Sequence, residues 1–259
     1  MADGAATDAH RRFDLAVVVT THNSMRTIER CLQSVASLSK NIYVVDDGST
    51  DGTIDACRAL GARVTHRPWE GFAKQKSFAI SLAASHEWVL LLDSDESLES
   101  NLQEGLHRAI AEASPTTRGI EINRKLWYAG GWIHHVSFPD WIVRCGRQGA
   151  LSINERPIHE CLQADGPTIR AQGICRHESW AGFADGLARG AHYAKLGAPL
   201  RRATRFPILS AAVSIVAIIF KQGILRRGFL DGTRGINAIM LQCIGKYADC
   251  MAAHERRDF

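Results

Sequence analysis

At 259 residues and 46% apolar content, the chain has enough hydrophobic material for a sizeable core, which excludes a disordered or fibrous protein. Its 31 basic residues face 27 acidic ones, and a formal charge of +4 is too mild to point to nucleic acid. Seven cysteines stand singly with no CxxC pair, which argues against a disulfide framework or a zinc knuckle and fits reduced thiols in a cytosolic setting.

Residues 1–13 carry Asp3, Asp8, Arg11 and Arg12 without an apolar stretch, so they read as a flexible leader rather than a secretory signal. Leu15 to Thr21 is a β-branched run that reads as a strand. Met25 to Leu38 follows as a helix, with Ile28, Cys31, Leu32 and Val35 at helical spacing. Ile42 to Val45 predicts a second strand closed by Asp46-Asp47-Gly48-Ser49-Thr50, and Ile54, Cys57 and Leu60 mark a second helix with Ser49 or Thr50 as its cap. A strand at Arg63 to Thr65, a helix from Phe72 to Ala84 and a strand from Trp88 to Leu92 complete an alternating series. Such alternation predicts an α/β fold with a mostly parallel sheet, whose ligands gather at the carboxyl ends of the strands.

Beyond Asp95 the spacing predicts a helix from Leu98 to Ala113, then short strands near Ile120 to Ile122, Trp141 to Arg144 and Thr168 to Ile174. Residues 14–185 therefore read as one domain of two halves, 14–97 with the polar strand ends where a ligand such as a nucleotide would lie, and 98–185 as the expected acceptor side. Residues 186–259 read as a basic, apolar helical region. No acidic residue falls between Asp185 and Asp231, and inside that stretch lies the apolar run Phe206 to Phe220. The run is shorter than the ~20 residues a spanning helix needs, so it reads either as an interfacial or re-entrant helix or as a buried core helix.

The chemistry lies in the strand ends. Asp93-Ser94-Asp95 places two carboxylates after an apolar strand, and hard cations such as Mg2+ or Mn2+ bind one or two carboxylates together with substrate phosphates. Asp46 and Asp47 offer acceptors for a nucleobase imide and a ribose hydroxyl, although an Asx turn accounts for the same residues. Lys74 and Lys76 stand where a cation would help hold phosphates, and solvated helix charge is their plainer reading. Thr20-Thr21-His22-Asn23 lacks the Gly-rich loop of a nucleotidyltransferase or a dinucleotide-dependent oxidoreductase. A non-enzymatic membrane-surface binding module is the remaining alternative.

The segments VVVTTHN (Val17 to Asn23), YVVDDGSTDGT (Tyr43 to Thr53), WEGFAKQKSFA (Trp69 to Ala79) and WVLLLDSDE (Trp88 to Glu96) resemble family 2 glycosyltransferases of the GT-A fold. FPDWIVR (Phe138 to Arg144), IHE (Ile158 to Glu160) and RRGFLDGTRG (Arg226 to Gly235) resemble the lipopolysaccharide-core β-glucosyltransferase-like group within it. Two departures from that pattern are Ser24, where an acidic residue is usual, and Ser77, where Asn is common.

The resemblance implies a nucleotide pocket lined by Thr20, Thr21 and Asn23, with Asp46 at the uracil and Asp93 and Asp95 at ribose and metal. It implies an inverting single displacement from a UDP-sugar, glucose by family, to a lipid-linked saccharide. Glu160 is then the candidate base and Asp140 its competitor. His177 is a possible further metal ligand. Trp127, Trp132, Trp141 and Trp180 suit either a sugar face or a core. The basic C-terminal region implies a cytoplasmic enzyme held peripherally on the anionic inner face of the cytoplasmic membrane.

Overall fold

A computed structural model describes residues 13–154, 161–201 and 204–256. In chain order they form β1 (Leu15–Thr21), α1 (Ile28–Gln33), β2 (Asn41–Asp46), α2 (Thr53–Ala59), β3 (Arg63–His66), α3 (Phe72–Ser81) and β4 (Trp88–Asp93). Next come β5 (Glu96–Leu98), α4 (Ser100–Ala111), β6 (Gly119–Tyr128), β7 (Gly131–Trp132), β8 (Asp140–Arg147) and β9 (Leu151–Ile153). The remainder is β10 (Leu162–Ala164), β11 (Thr168–Arg170), β12 (Cys175–His177), α5 (Phe183–Gly197), α6 (Pro207–Ile218) with a π-helical continuation (Ile219–Leu225), and α7 (Gly232–Glu255). These elements make two compact units, residues 13–122, 142–154 and 161–174 in the first, 123–141 and 175–256 in the second.

In the first unit the sheet runs β3-β2-β1-β4-β8-β6, with β1, β2, β3 and β4 parallel and β8 antiparallel to β4. Ala16 to Val19 and Val89 to Leu92 are fully buried, which is why these strands read as unbroken apolar runs: both faces of the sheet are covered. On one face Ala16, Val18, Val89 and Leu91 pack against Ala79, Ile80 and Ala83 from α3 and the turn after it. At roughly 25 cal/mol per Å2 of apolar surface, each fully buried Leu or Val contributes about 1.5–3 kcal/mol, so this layer anchors the loops that leave it.

Local differences from the sequence reading have local causes. The first helix is shorter than 25–38, because the Ser34 hydroxyl donates to the Cys31 carbonyl (2.7 Å) and accepts the Leu98 N–H (3.0 Å), and the chain continues in tight turns. The second helix is not capped by Ser49 or Thr50. Its first residue, Thr53, follows Gly52 at φ 89°, and Asp51 Oδ1 accepts the Thr53 N–H (3.1 Å) and hydroxyl. Strand β5 is too short to carry a periodic signal. Helix α4 sits directly on residues 172–174: a Cβ on Gly105 would lie 1.9 Å from the Gln172 oxygen, and one on Gly173, at φ +115°, would lie 2.4 Å from the Leu102 backbone.

In the second unit β6 pairs in parallel with β12 and antiparallel with β7. Tyr128, Ile133, Val136, Ala238, Ile239 and Cys243 form its core, with Ile215 and Ile218 packed against them. Ala211, Ile215, Ile218 and Gln222 recur at i, i+4, i+7 and i+11 as the inward stripe of the 207–225 helix. The opposite stripe is outward: Leu209 is 62% exposed, Val213 63%, Val216 66% and Phe220 51%. The buried-core reading of 206–220 therefore fails. Pro207–Leu225 is long and apolar enough to cross a membrane, yet most of its hydrocarbon faces away from the protein.

Candidate active site

The strand order places the topological switch between β1 and β4, since β2 and β3 lie on one side of β1 and β4 lies on the other. The register there sets Thr20 opposite Asp93 and Thr21 opposite Asp46. Three of the expected strand ends thus converge at one place. The Thr21 hydroxyl is buried and has no hydrogen-bond partner among the described residues, an orphaned polar atom at the point where the open sheet parts.

The loops after β1, β2 and β4 are stitched together. Asn23, at φ 46°, accepts the Thr50 N–H on its side-chain oxygen (2.8 Å) and donates its own N–H to Ser49 Oγ (2.8 Å). Ser24 lies 2.8 Å from Ser94, oxygen to oxygen, which joins the first loop to the Asp-Ser-Asp turn. Asp46 is fully buried, and one of its oxygens accepts the Gly48 and Ser49 N–H groups (both 2.9 Å) while the other takes the Ser49 hydroxyl. The Asx-turn geometry is therefore present at Asp46. Asp47 instead faces His22, with Oδ1 2.5 Å from Nδ1.

The two lysines part company. Lys74 is exposed and sits 3.6 Å from Glu70, one helical turn away, so it behaves as solvated helix charge. Lys76 is buried, with its ammonium 2.6 Å from Asp93 Oδ1. The other Asp93 oxygen accepts from Arg144 at 2.7 Å, and the same guanidinium grips fully buried Glu96 at 2.9 and 2.7 Å. Glu96 in turn accepts the Asp93 N–H at 3.2 Å. Lys76, Asp93, Arg144 and Glu96 form a neutral network under the turn, where each buried charge has a partner.

Asp95 is half-buried on the same turn. Burial, then the charges of Glu96, Asp95 and Asp93, push the neighbouring Cys31 thiol well above its ordinary pKa. Lys76 and Arg144 occupy both oxygens of Asp93. Among the described residues no three His, Cys, Asp or Glu side chains gather as a metal cluster.

In the second unit Asp140 Oδ2 accepts from Arg124 at 2.9 Å and its N–H donates to Asn123 (3.1 Å). His177 Nε2 lies 2.7 Å from the Ser179 hydroxyl. Glu160 lies outside the described residues. Sequence reasoning did not single out Glu96 or His22 beside the candidate site, nor Arg144 as its cation, and named Ser24 only as a departure from the family pattern. Glu96 follows the Asp-Ser-Asp turn directly, and the signal that would have found it is the need of a buried carboxylate for a cation, here 48 positions away.

Residues 16–139 match the model of "Glycosyl transferase family 2". Over 97 residues the chain is 37% identical to an uncharacterized glycosyltransferase of Rickettsia typhi, covering 38% of this chain and 33% of that one. It is 32% identical over 126 residues to the lipopolysaccharide core biosynthesis glycosyltransferase LpsC of Rhizobium meliloti, covering 46% of this chain and 45% of that one. The matches thus span less than half the length of either relative. The mannosyltransferase PcManGT of Pyrobaculum calidifontis, solved in complex with GDP-Man and Mn2+, shares the fold at a TM-score of 0.53 and 16% identity, over 93% of this chain and 87% of that one. Over residues 16–139 the chain is thus similar to family 2 glycosyltransferases, and its fold is of the GT-A kind.

Proposed function

We propose that the protein is an inverting glycosyltransferase that moves a hexose, glucose by family resemblance, from a UDP-sugar to a lipid-linked saccharide such as lipopolysaccharide core. The observation that carries this reading is the convergence of Thr20, Thr21 and Asp93 at the switch point, with Asp95 on the adjoining turn. The name of the Rhizobium relative supports the acceptor class.

In this reading the nucleotide lies over the ends of β1, β2 and β4. Thr21 offers its unpartnered hydroxyl to it, and the loop held by Asn23 and Asp46 shapes the wall beside the base. Asp93, fixed from both sides by Lys76 and Arg144, presents its backbone and carboxylate edge to the ribose. Asp95 would hold Mg2+ or Mn2+ together with the donor diphosphate, and such an ion neutralises charge that develops on a departing diphosphate. An inverting displacement also needs a carboxylate to take the acceptor hydroxyl proton. Glu160 has that role by motif. Asp140 is the second choice, because its pairing with Arg124 ties one oxygen down.

The outward apolar stripe of 207–225, with Arg201, Arg205, Lys221, Arg226 and Arg227 around it, supports attachment to the anionic cytoplasmic leaflet. Lipid-linked acceptors would then be met in two dimensions. The test is UDP release from a panel of UDP-sugars by wild type and Asp95→Ala, with Mg2+ or Mn2+ and with or without a membrane lipid extract. Metal-dependent release that the variant loses is the expected result. No release from any donor, with UDP and metal still raising the melting temperature, would instead favour a membrane-surface sugar-nucleotide-binding protein without turnover.

A further inference from the structure

The second unit carries a half-exposed face that combines aromatic rings with cations. The β6–β12 register sets Arg176 beside Lys125, and Trp127, two residues along β6, projects on the same side. Trp132, the β7 partner of Trp127, packs edge to face with it at a centroid distance of 5.0 Å. The Arg176 guanidinium lies 3.7 Å from the Trp127 ring centroid and is paired with Glu178 at 2.7 Å. Lys125 differs. Its ammonium stands 4.9 Å from the Phe138 centroid and 5.6 Å from that of Trp132, and donates to His134 Nδ1 at 2.8 Å. Among the described residues no carboxylate lies within ion-pair distance of it.

An ordinary structural cation–π cluster explains Arg176, whose charge Glu178 balances. It does not explain why a partly desolvated ammonium rests on two rings and the His134 side chain. Burial lowers the Lys125 pKa, and the charge of Asp231 only partly opposes this. An anion arriving at Lys125 would supply the missing counter-charge, and the flat Trp and Phe surfaces beside it suit the apolar face of a pyranose. We infer that this face binds a sugar unit bearing a phosphate or carboxylate group, with Lys125 as the anion contact and Trp127 and Trp132 as the ring platform. The inference deepens the transferase reading by naming the acceptor as an acidic saccharide, and it rests on that reading for the word acceptor alone.

The experiment is a titration of the full-length protein, followed by tryptophan fluorescence and calorimetry, with glucose, glucose 6-phosphate, glucuronate and inorganic phosphate. Glucose 6-phosphate and glucuronate are expected to bind at least about tenfold more tightly than glucose or phosphate alone, the scale of one charge-assisted hydrogen bond. Lys125→Gln should abolish that preference and Lys125→Arg should keep most of it, which separates a lost contact from a lost fold. Equal binding of glucose and glucose 6-phosphate would overturn the inference, as would unchanged preference in Lys125→Gln. Inorganic phosphate binding as tightly as the sugar phosphate would overturn the ring platform. Displacement of glucose 6-phosphate by phosphatidylglycerol vesicles, with no binding of glucuronate, would reassign the face to lipid headgroups. UDP release by wild type, read in parallel, tells the two failures apart: release without acidic-sugar binding sinks this inference alone, and binding without release sinks the transferase reading.

Discussion

The strand-end turn of the first unit and the helical face of the second handle unfavourable chemistry in opposite ways. Under the Asp-Ser-Asp turn, Lys76, Arg144, Asp93 and Glu96 are drawn into the protein, and every one of them meets an opposite charge. Along 207–225 the protein does the reverse and leaves Leu209, Val213, Val216 and Phe220 facing outward. Buried charge is tolerated where it fixes a carboxylate in place, and exposed hydrocarbon is tolerated where a non-aqueous neighbour covers it. The first feature fixes a carboxylate and the second, in the function proposed above, fixes location, so they should respond to mutation in different assays.

The largest effect should come from breaking the buried network. Arg144→Met leaves Glu96 and one side of Asp93 without their cation and should lower unfolding free energy by about 3–5 kcal/mol, measured by urea denaturation. Adding Glu96→Gln should recover part of it. Asp95→Ala should lower metal-dependent UDP release by at least about 10²-fold, the scale on which groups that stabilise developing charge act. If instead Arg144→Met lowered UDP release without lowering stability, the network would belong to the chemistry rather than to its support.

In the second unit Asp231 provides a smaller test. Its carboxylate accepts the N–H groups of His134 (2.8 Å), His135 (2.9 Å) and Val136 (3.2 Å) and the His135 ring at 2.9 Å. Burial alone would raise its pKa, but the His135 ring and these N–H groups outweigh it and hold the carboxyl below the usual range. Stability from this group is therefore complete above the unfolded Asp pKa of about 3.9 and is lost as pH falls through the lower folded value. Asp231→Asn should cost about 1.5–3 kcal/mol at pH 7 and flatten the acid limb of the stability curve, read by urea midpoints from pH 7 to pH 2.5. The smallest change in stability should follow Leu209→Gln, Val213→Gln and Val216→Gln together, within about 0.5 kcal/mol per site, since these side chains contact little protein. The same variant should bind phosphatidylglycerol vesicles at least about tenfold less in a flotation assay. Unchanged flotation would separate the outward stripe from membrane attachment.

Much of the fold was readable because it rests on short-range pattern. The apolar runs of β1, β2 and β4 end in polar residues, and alternation with helices leads to a parallel sheet with ligands at those ends. The neighbourhood of the candidate site was readable too: Thr20, Thr21, Asp46 and Asp93 meet because adjacent parallel strands bring their ends together. Less readable was the work each polar residue does. Lys74 and Lys76 stand two positions apart and look alike, yet the helix turns one to solvent and the other onto Asp93.

Sequence by itself determined the strand–helix alternation, the family motifs, the Asp-Ser-Asp turn and the apolar run near the C-terminus, because each is written in contiguous residues or a fixed period. Only the tertiary structure decided that Glu96 is buried against Arg144, that both oxygens of Asp93 are claimed by cations, and that the 207–225 helix turns its hydrocarbon outward. Those outcomes depend on pairings between residues tens of positions apart and on which helix face a neighbour covers. No local pattern specifies them, since an amphipathic period states that faces differ and leaves open which solvent each will meet.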